Sequence, residues 1–201
     1  MGDIINMAKD KRDPVWWISS LVIQWNAERH PDLPVLEAEG RILLWDKEDE
    51  QAEEPTVEAG TIRVVKPYLW AGTDPVIAMD DISADYELLA SSVLASHSYQ
   101  EEFYEWFLDT FGVAPHSDPI FIEDIHIQPN YRNPRDPLAA QAVIDAAATF
   151  GAADSPIITY GFEQIPEERR KKFMHRGLWD WENALGARPW RNILAAARPQ
   201  E

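Results

Sequence analysis

The spacing of apolar residues along the chain changes period several times, and each change marks a structural element. Val15, Ile18, Val22 and Trp25 recur at helical spacing behind Asp13-Pro14, an N-cap followed by proline at the first helical position, so a helix is predicted from Pro14 to His30. Pro31 and Pro34 end it, and GRILLW (Gly40–Trp45) is a short apolar run of strand type. TIRVVKPYLW (Thr61–Trp70), rich in β-branched and aromatic residues, predicts a second strand, with Pro67 at a bulge or edge and a turn over Gly72–Pro75. Ile82, Tyr86, Leu89 and Val93 return to helical spacing, and another helix runs from Tyr99 to Phe111, closed by Gly112. A strand follows (Ile120–Gln128), then a helix (Pro137–Phe150), a strand (Pro156–Phe162) and a longer helix (Pro166–Leu185).

Between the first two strands the chain turns polar and acidic, DKEDEQAEEPTVEAG over 46–60, and reads as a solvated loop. No internal repeat is present. At 201 residues the chain suits one α/β domain, with residues 1–35 as an N-terminal helical addition.

Charge narrows the function classes. Eighteen basic against thirty-five acidic residues give a formal charge of −17, which repels nucleic acid phosphates and favours a protein partner of basic surface. The same charge admits an acidic inhibitor that mimics DNA in a nucleic-acid-binding protein. The absence of cysteine excludes disulfides, thiolate metal sites and cysteine nucleophiles. The five histidines show no i, i+4 pair, so no metal site is predicted. MGDIINMAKDKRDP lacks the apolar core of a signal peptide, and no apolar run reaches the length of a membrane span, so a cytoplasmic protein without membrane contact is expected.

The segment DIHIQPNYRNPRDPLAAQAVIDAAATFG resembles motif A of the GNAT superfamily of N-acetyltransferases, a strand ending in a pattern like V-x-P-x-Y/W-R-G-x-G-x-G that runs into a helix. Pro129, Tyr131 and Arg132 are in step with it. WDWENALGARPW (Trp179–Trp190) resembles a later motif of the family, F/W-Y-x-x-L-G-F-x-P, through Leu185, Gly186, Arg188 and Pro189. ISADYELLASSVL resembles a helix that precedes motif A in some bacterial relatives. The resemblance implies a mixed sheet with helices on both faces and a cofactor-binding half over 120–192. It also implies an acetyl-CoA site built from a splayed strand, whose main chain, here at Ile127, holds the pantetheine arm, and a glycine loop before the helix that holds the pyrophosphate.

That loop departs from the pattern. Reading it onto Arg132, Asn133, Pro134, Arg135, Asp136 and Pro137 puts Arg135 and Pro137 in place of glycines. Asp136-Pro137 is itself a strong helix start, whose carboxylate accepts the N–H groups that a pyrophosphate needs. Glu182 stands where the family's proton-donating tyrosine usually sits, and Ala187 replaces a phenylalanine.

Three ionisable residues, Glu123, Asp124 and His126, fall in the strand before motif A, and strict alternation sends Glu123 to one face and the other two to the opposite one. Glu123 or His126 is the expected general base of an active acyltransferase; an ion pair or polar layer is the alternative. The run EERRKKFMHRG (Glu167–Gly177) is the one basic cluster, either a solvated helix face or a phosphate contact. Three readings stay open. The first is a degenerate GNAT-fold protein that binds a macromolecular partner. The second is an active acyl-CoA-dependent N-acyltransferase in which Arg132 and Arg135 bind the phosphates. The third is the acidic inhibitor.

Overall fold

In a computed structural model the chain is described over residues 21–45, 53–131, 138–160 and 185–198. Nine strands and four α-helices are present among these residues. Val22–Arg29 (β1), Val35–Leu44 (β2) and Val57–Pro67 (β3) form an antiparallel meander. Helices Pro75–Asp80 (α1), Ala84–Val93 (α2) and Glu101–Phe111 (α3) follow, with a two-residue hairpin, Leu94–Ala95 (β4) and Ser98–Tyr99 (β5), between the last two. Ile120–Ile127 (β6) then leads through a 3-10 turn to Leu138–Phe150 (α4), and Ile157–Tyr160 (β7), Arg188–Trp190 (β8) and Ile193–Ala196 (β9) complete the main sheet.

The seven strands lie in the order β1-β2-β3-β6-β7-β9-β8, and every neighbouring pair is antiparallel except β6 and β7. A parallel pair needs a crossover, and α4 lies between those two strands in the chain. Helices cover both faces, as expected. Ile120, Ile122, Ile125 and Ile127 of β6 pack with the alanine-rich side of α4 on one face. Phe121, Val65, Tyr86, Leu89, Phe103 and Phe107 build the other core under α1, α2 and α3. Each helix starts and stops on a local signal. Asp74 accepts from the Val76 N–H at 2.9 Å with Pro75 in the first turn of α1, Ser83 caps α2, and Gly112 closes α3 at φ 70°.

Several expectations are corrected. The predicted helix over 14–30 fails where it is described, since Val22–Arg29 is a strand; its first residues lie outside the described set, as does the rest of the proposed helical addition up to 20. The helical spacing of Val22 and Trp25 masked an alternation in which Ile23 and Trp25 face one side, where Trp25 lies across from Gly40 in the β2 register. A Cβ on Gly40 would meet the Ile23 and Trp25 side chains at 2.7 Å, so this glycine makes room for the tryptophan within a strand and does not begin one.

The acidic loop stops sooner than its composition indicates. Residues 46–52 lie outside the described set, but β3 already runs from Val57, with Ala59 buried. Gly60, read as a loop glycine, sits in the β3–β6 ladder opposite Ile127, where an added Cβ would stand 2.0 Å from the His126 carbonyl oxygen. Pro75 begins a helix the turn reading missed, and the Ala-rich β9 was not foreseen because alanine carries a helical bias. Of the long helix predicted to Leu185, only that residue is described, and it is a buried bend.

Candidate functional site

Strand β6 carries the three ionisable residues, and its pairing with β3 is interrupted. Arg63 pairs with Asp124 while the next residue, Val64, pairs with Ile122, so Glu123 is the extra residue of a β-bulge. The bulge resets the alternation: Ile122 and Ile125 both belong to the α4-side core. Glu123, Asp124 and His126 therefore share the opposite face, which corrects the division expected from strict alternation.

On that face Glu123 is held from two sides. The Tyr86 hydroxyl, from α2, donates to Glu123 Oε2 at 2.7 Å, and Arg63 Nη1 from β3 lies 3.3 Å from Oε1 and 3.2 Å from Oε2. Burial raises the Tyr86 phenol far above its ordinary value of 10.0. The hydrogen bond to Glu123 and its negative charge push the same way, while Arg63 opposes them. Tyr86 thus stays a donor at neutral pH. Two carboxylate oxygens offer about four acceptor positions, so the bound Glu123 keeps capacity for a further N–H.

These residues form one wall of a polar cavity of about 240 Å³ on the face of β1, β2, β3 and β6, closed on another side by His30 and Pro31. The pleat brings the face-sharing residues of three strands to its floor: Asn26 and Glu28 from β1, Glu37 and Glu39 from β2, Arg63 from β3. Four carboxylates there face two guanidinium groups. Arg63 is turned to Glu123, and Arg29 lies 5.2 Å from the centre of the Tyr68 ring. Glu28 stands directly opposite Glu37 in the β1–β2 register, and among the described residues no cation forms an ion pair with Glu28, Glu37 or Glu39. The arrangement suits a cationic group.

The other candidate residues are distributed differently. His126 is half-buried on β6, and Ile127, expected to offer its main chain to a cofactor, is buried with its side chain in the α4-side core. Arg132, Asn133, Arg135 and Asp136 of the loop, Glu182, and the basic run Glu167–Gly177 all lie outside the described residues. Trp25 packs edge-on against Phe150 and its indole N–H donates to Asp145 at 3.2 Å. Tyr86, Glu28, Glu37 and Glu39 were not singled out in sequence, because Tyr86 carries an ordinary core signal, Glu28 falls in a segment read as helix, and Glu37 and Glu39 fall between Pro34 and Gly40, where no element was assigned. The signal that was available is the alternation Glu37-Ala38-Glu39-Gly40.

Beside Glu123 the parallel ladder is short. It runs through Ile120 with Ile157 and Phe121 with Ile158, and the Thr159 hydroxyl then donates to the Ile122 carbonyl at 2.8 Å. Both strands continue past the end of this ladder. Among the described residues no cluster of metal-ligating side chains is present and no helix is long and apolar enough to cross a membrane. Comparison with known proteins finds no matching family model, no similar curated protein and no similar solved structure.

Proposed function

We propose that this chain is a GNAT-like scaffold that works by binding a basic segment of a protein partner, its acyl-CoA loop having closed. The observation that carries the reading is the cavity in which Glu28 stands directly opposite Glu37 and neither forms an ion pair with a cation among the described residues. Directly opposed glutamates in an antiparallel pair destabilise the sheet, and a lysine or arginine between them reverses the sign of that contribution. The scaffold part rests on the single parallel pair around α4, on its early-ending ladder, and on the resemblance of residues 124–151 to motif A. Loop closure rests on Asp136-Pro137, which supplies a carboxylate where a pyrophosphate would need N–H donors. Isothermal titration tests both parts. Acetyl-CoA is expected to give no heat of binding, and a lysine-rich peptide to bind at low salt and be released as salt rises. Micromolar binding of acetyl-CoA overturns the first part; failure of the peptide to bind overturns the second.

A second reading, an active N-acyltransferase, is favoured by the position of Glu123 in the cavity beside the end of the β6–β7 ladder. There the cavity would take an amine and Glu123 would accept its proton. Acetyl-CoA-dependent thiol release that Arg135→Ala abolishes supports this reading, and absence of turnover with a panel of amines rejects it.

A further inference from the structure

The two edges of the main sheet are treated differently. At one end β8 is three residues long and contains Pro189, features that discourage further pairing. At the other end β1 runs for eight residues, VIQWNAER, without proline, lysine or bulge, in unbroken register with β2. The phase of its hydrogen bonds follows from the His30 N–H, which donates to the Val35 carbonyl at 2.9 Å across the same register. In an antiparallel pair, backbone groups alternate between inward and outward direction. The main-chain groups of Val22, Gln24, Asn26 and Glu28 therefore face β2, and those of Ile23, Trp25, Ala27 and Arg29 face away. Among the described residues nothing pairs with that outer row.

The open edge adjoins the cavity, because Asn26 and Glu28 of β1 line it. Resting on the binding role given above, we infer that the basic segment docks by adding to β1 as an extra strand. Its alternate side chains then fall into two rows. One row lies on the cavity face beside Asn26 and Glu28, within reach of Glu37, and is the row that carries lysine or arginine. The other lies beside Ile23 and Trp25 and takes neutral residues. The partner is an extended segment of alternating basic and uncharged residues, not a basic helix. Main-chain bonds to the outer row supply its affinity, and the glutamates select its charge.

The test uses the full chain and two peptides of equal composition, an alternating Lys-Thr octapeptide and its block isomer with four lysines followed by four threonines. Titration is expected to favour the alternating peptide by about tenfold, the worth of a few strand hydrogen bonds. Ala27→Pro removes one outward N–H and no bond to β2, and Ala27 is exposed, so the fold tolerates the change at an edge. This variant is expected to lose the preference while keeping the wild-type unfolding midpoint; Ala27→Ser serves as the control that keeps it. Equal binding of both peptides, unaffected by Ala27→Pro, overturns strand addition and leaves the acidic cavity as a binding site. Failure of both peptides to bind overturns the binding role itself. A dimer of the free protein that Ala27→Pro dissolves, with no peptide bound, assigns the edge to a second copy and also overturns the inference.

Discussion

Tyr86→Phe isolates one contact at the centre of the candidate site. The ring is buried, so phenylalanine keeps its packing and removes only the hydroxyl that donates to Glu123 at 2.7 Å. A hydrogen bond to a charged acceptor contributes about 1.5–3 kcal/mol. Glu123 is 24% exposed and retains Arg63, which places the loss near the lower end, at about 1–2 kcal/mol. For a domain of this size that lowers the melting temperature by roughly 2–8 °C at neutral pH. The alkaline side gives an independent readout. The Tyr86 phenol is raised in the folded state, so its contribution is fully present below the unfolded value near 10 and is lost as pH rises above it, while the unfolded chain gives up its proton and the native one does not. Each such tyrosine adds a slope of about 1.4 kcal/mol per pH unit. Tyr99 is also raised, chiefly by burial, and keeps its own share in the variant. Urea unfolding at neutral pH and through the range above pH 10 measures both effects. An unchanged neutral stability together with an unchanged alkaline slope would refute the account of this contact.

Two further substitutions address the sheet beneath the cavity. Gly60→Ala drives a methyl group to 2.0 Å from the His126 carbonyl, a backbone atom that cannot swing aside, and is expected to cost about 3 kcal/mol or more, seen as a lowered urea midpoint; a stability within experimental error of wild type rejects the close approach. Glu28→Gln removes the like-charge pair with Glu37 and is expected to raise stability by about 0.2–1 kcal/mol while weakening a lysine-rich peptide several-fold in titration; parallel changes in both quantities would contradict the assigned role.

The long-period elements were legible because burial on one side imposes the period directly. Helix α3 ends at Gly112 as its sequence indicates, and β6 and α4 fall within a residue or two of their expected ranges. The N-terminal strand was not legible for a specific reason. Val22 and Trp25 satisfy a helical spacing, whereas strand β1 has only two half-buried positions, Ile23 and Trp25, to reveal its alternation. An edge strand with one lightly covered face leaves little pattern to read. The site was half legible. Glu123 was identified from its unusual place in a central strand, but its face was not, because a bulge is a two-strand property decided by how β3 meets β6. Tyr86 was placed on its helix correctly and offered no sign that its hydroxyl reaches across to that strand.

The bulge also explains why these groups can act together. Without the extra residue, Glu123 and the pair Asp124 and His126 would point to opposite faces, and two of the three would enter the layer occupied by Ile122, Ile125 and the alanines of α4. Charged groups there would lack water and partners. One inserted residue keeps the isoleucines inward on both sides of the break and puts all three ionisable residues on the cavity face. The same face then collects Glu28, Glu37 and Glu39 from strands whose other face packs normally, with Ala38 and Ile42 in the core. Sequence choices that weaken a sheet thus gather on one surface, and they adjoin a long edge that is unpaired among the described residues. Such departures from local stability concentrate where a protein binds something. On the function proposed above, the loop without glycines and this charged surface are two sides of one change, from holding an anionic cofactor to holding a cationic segment.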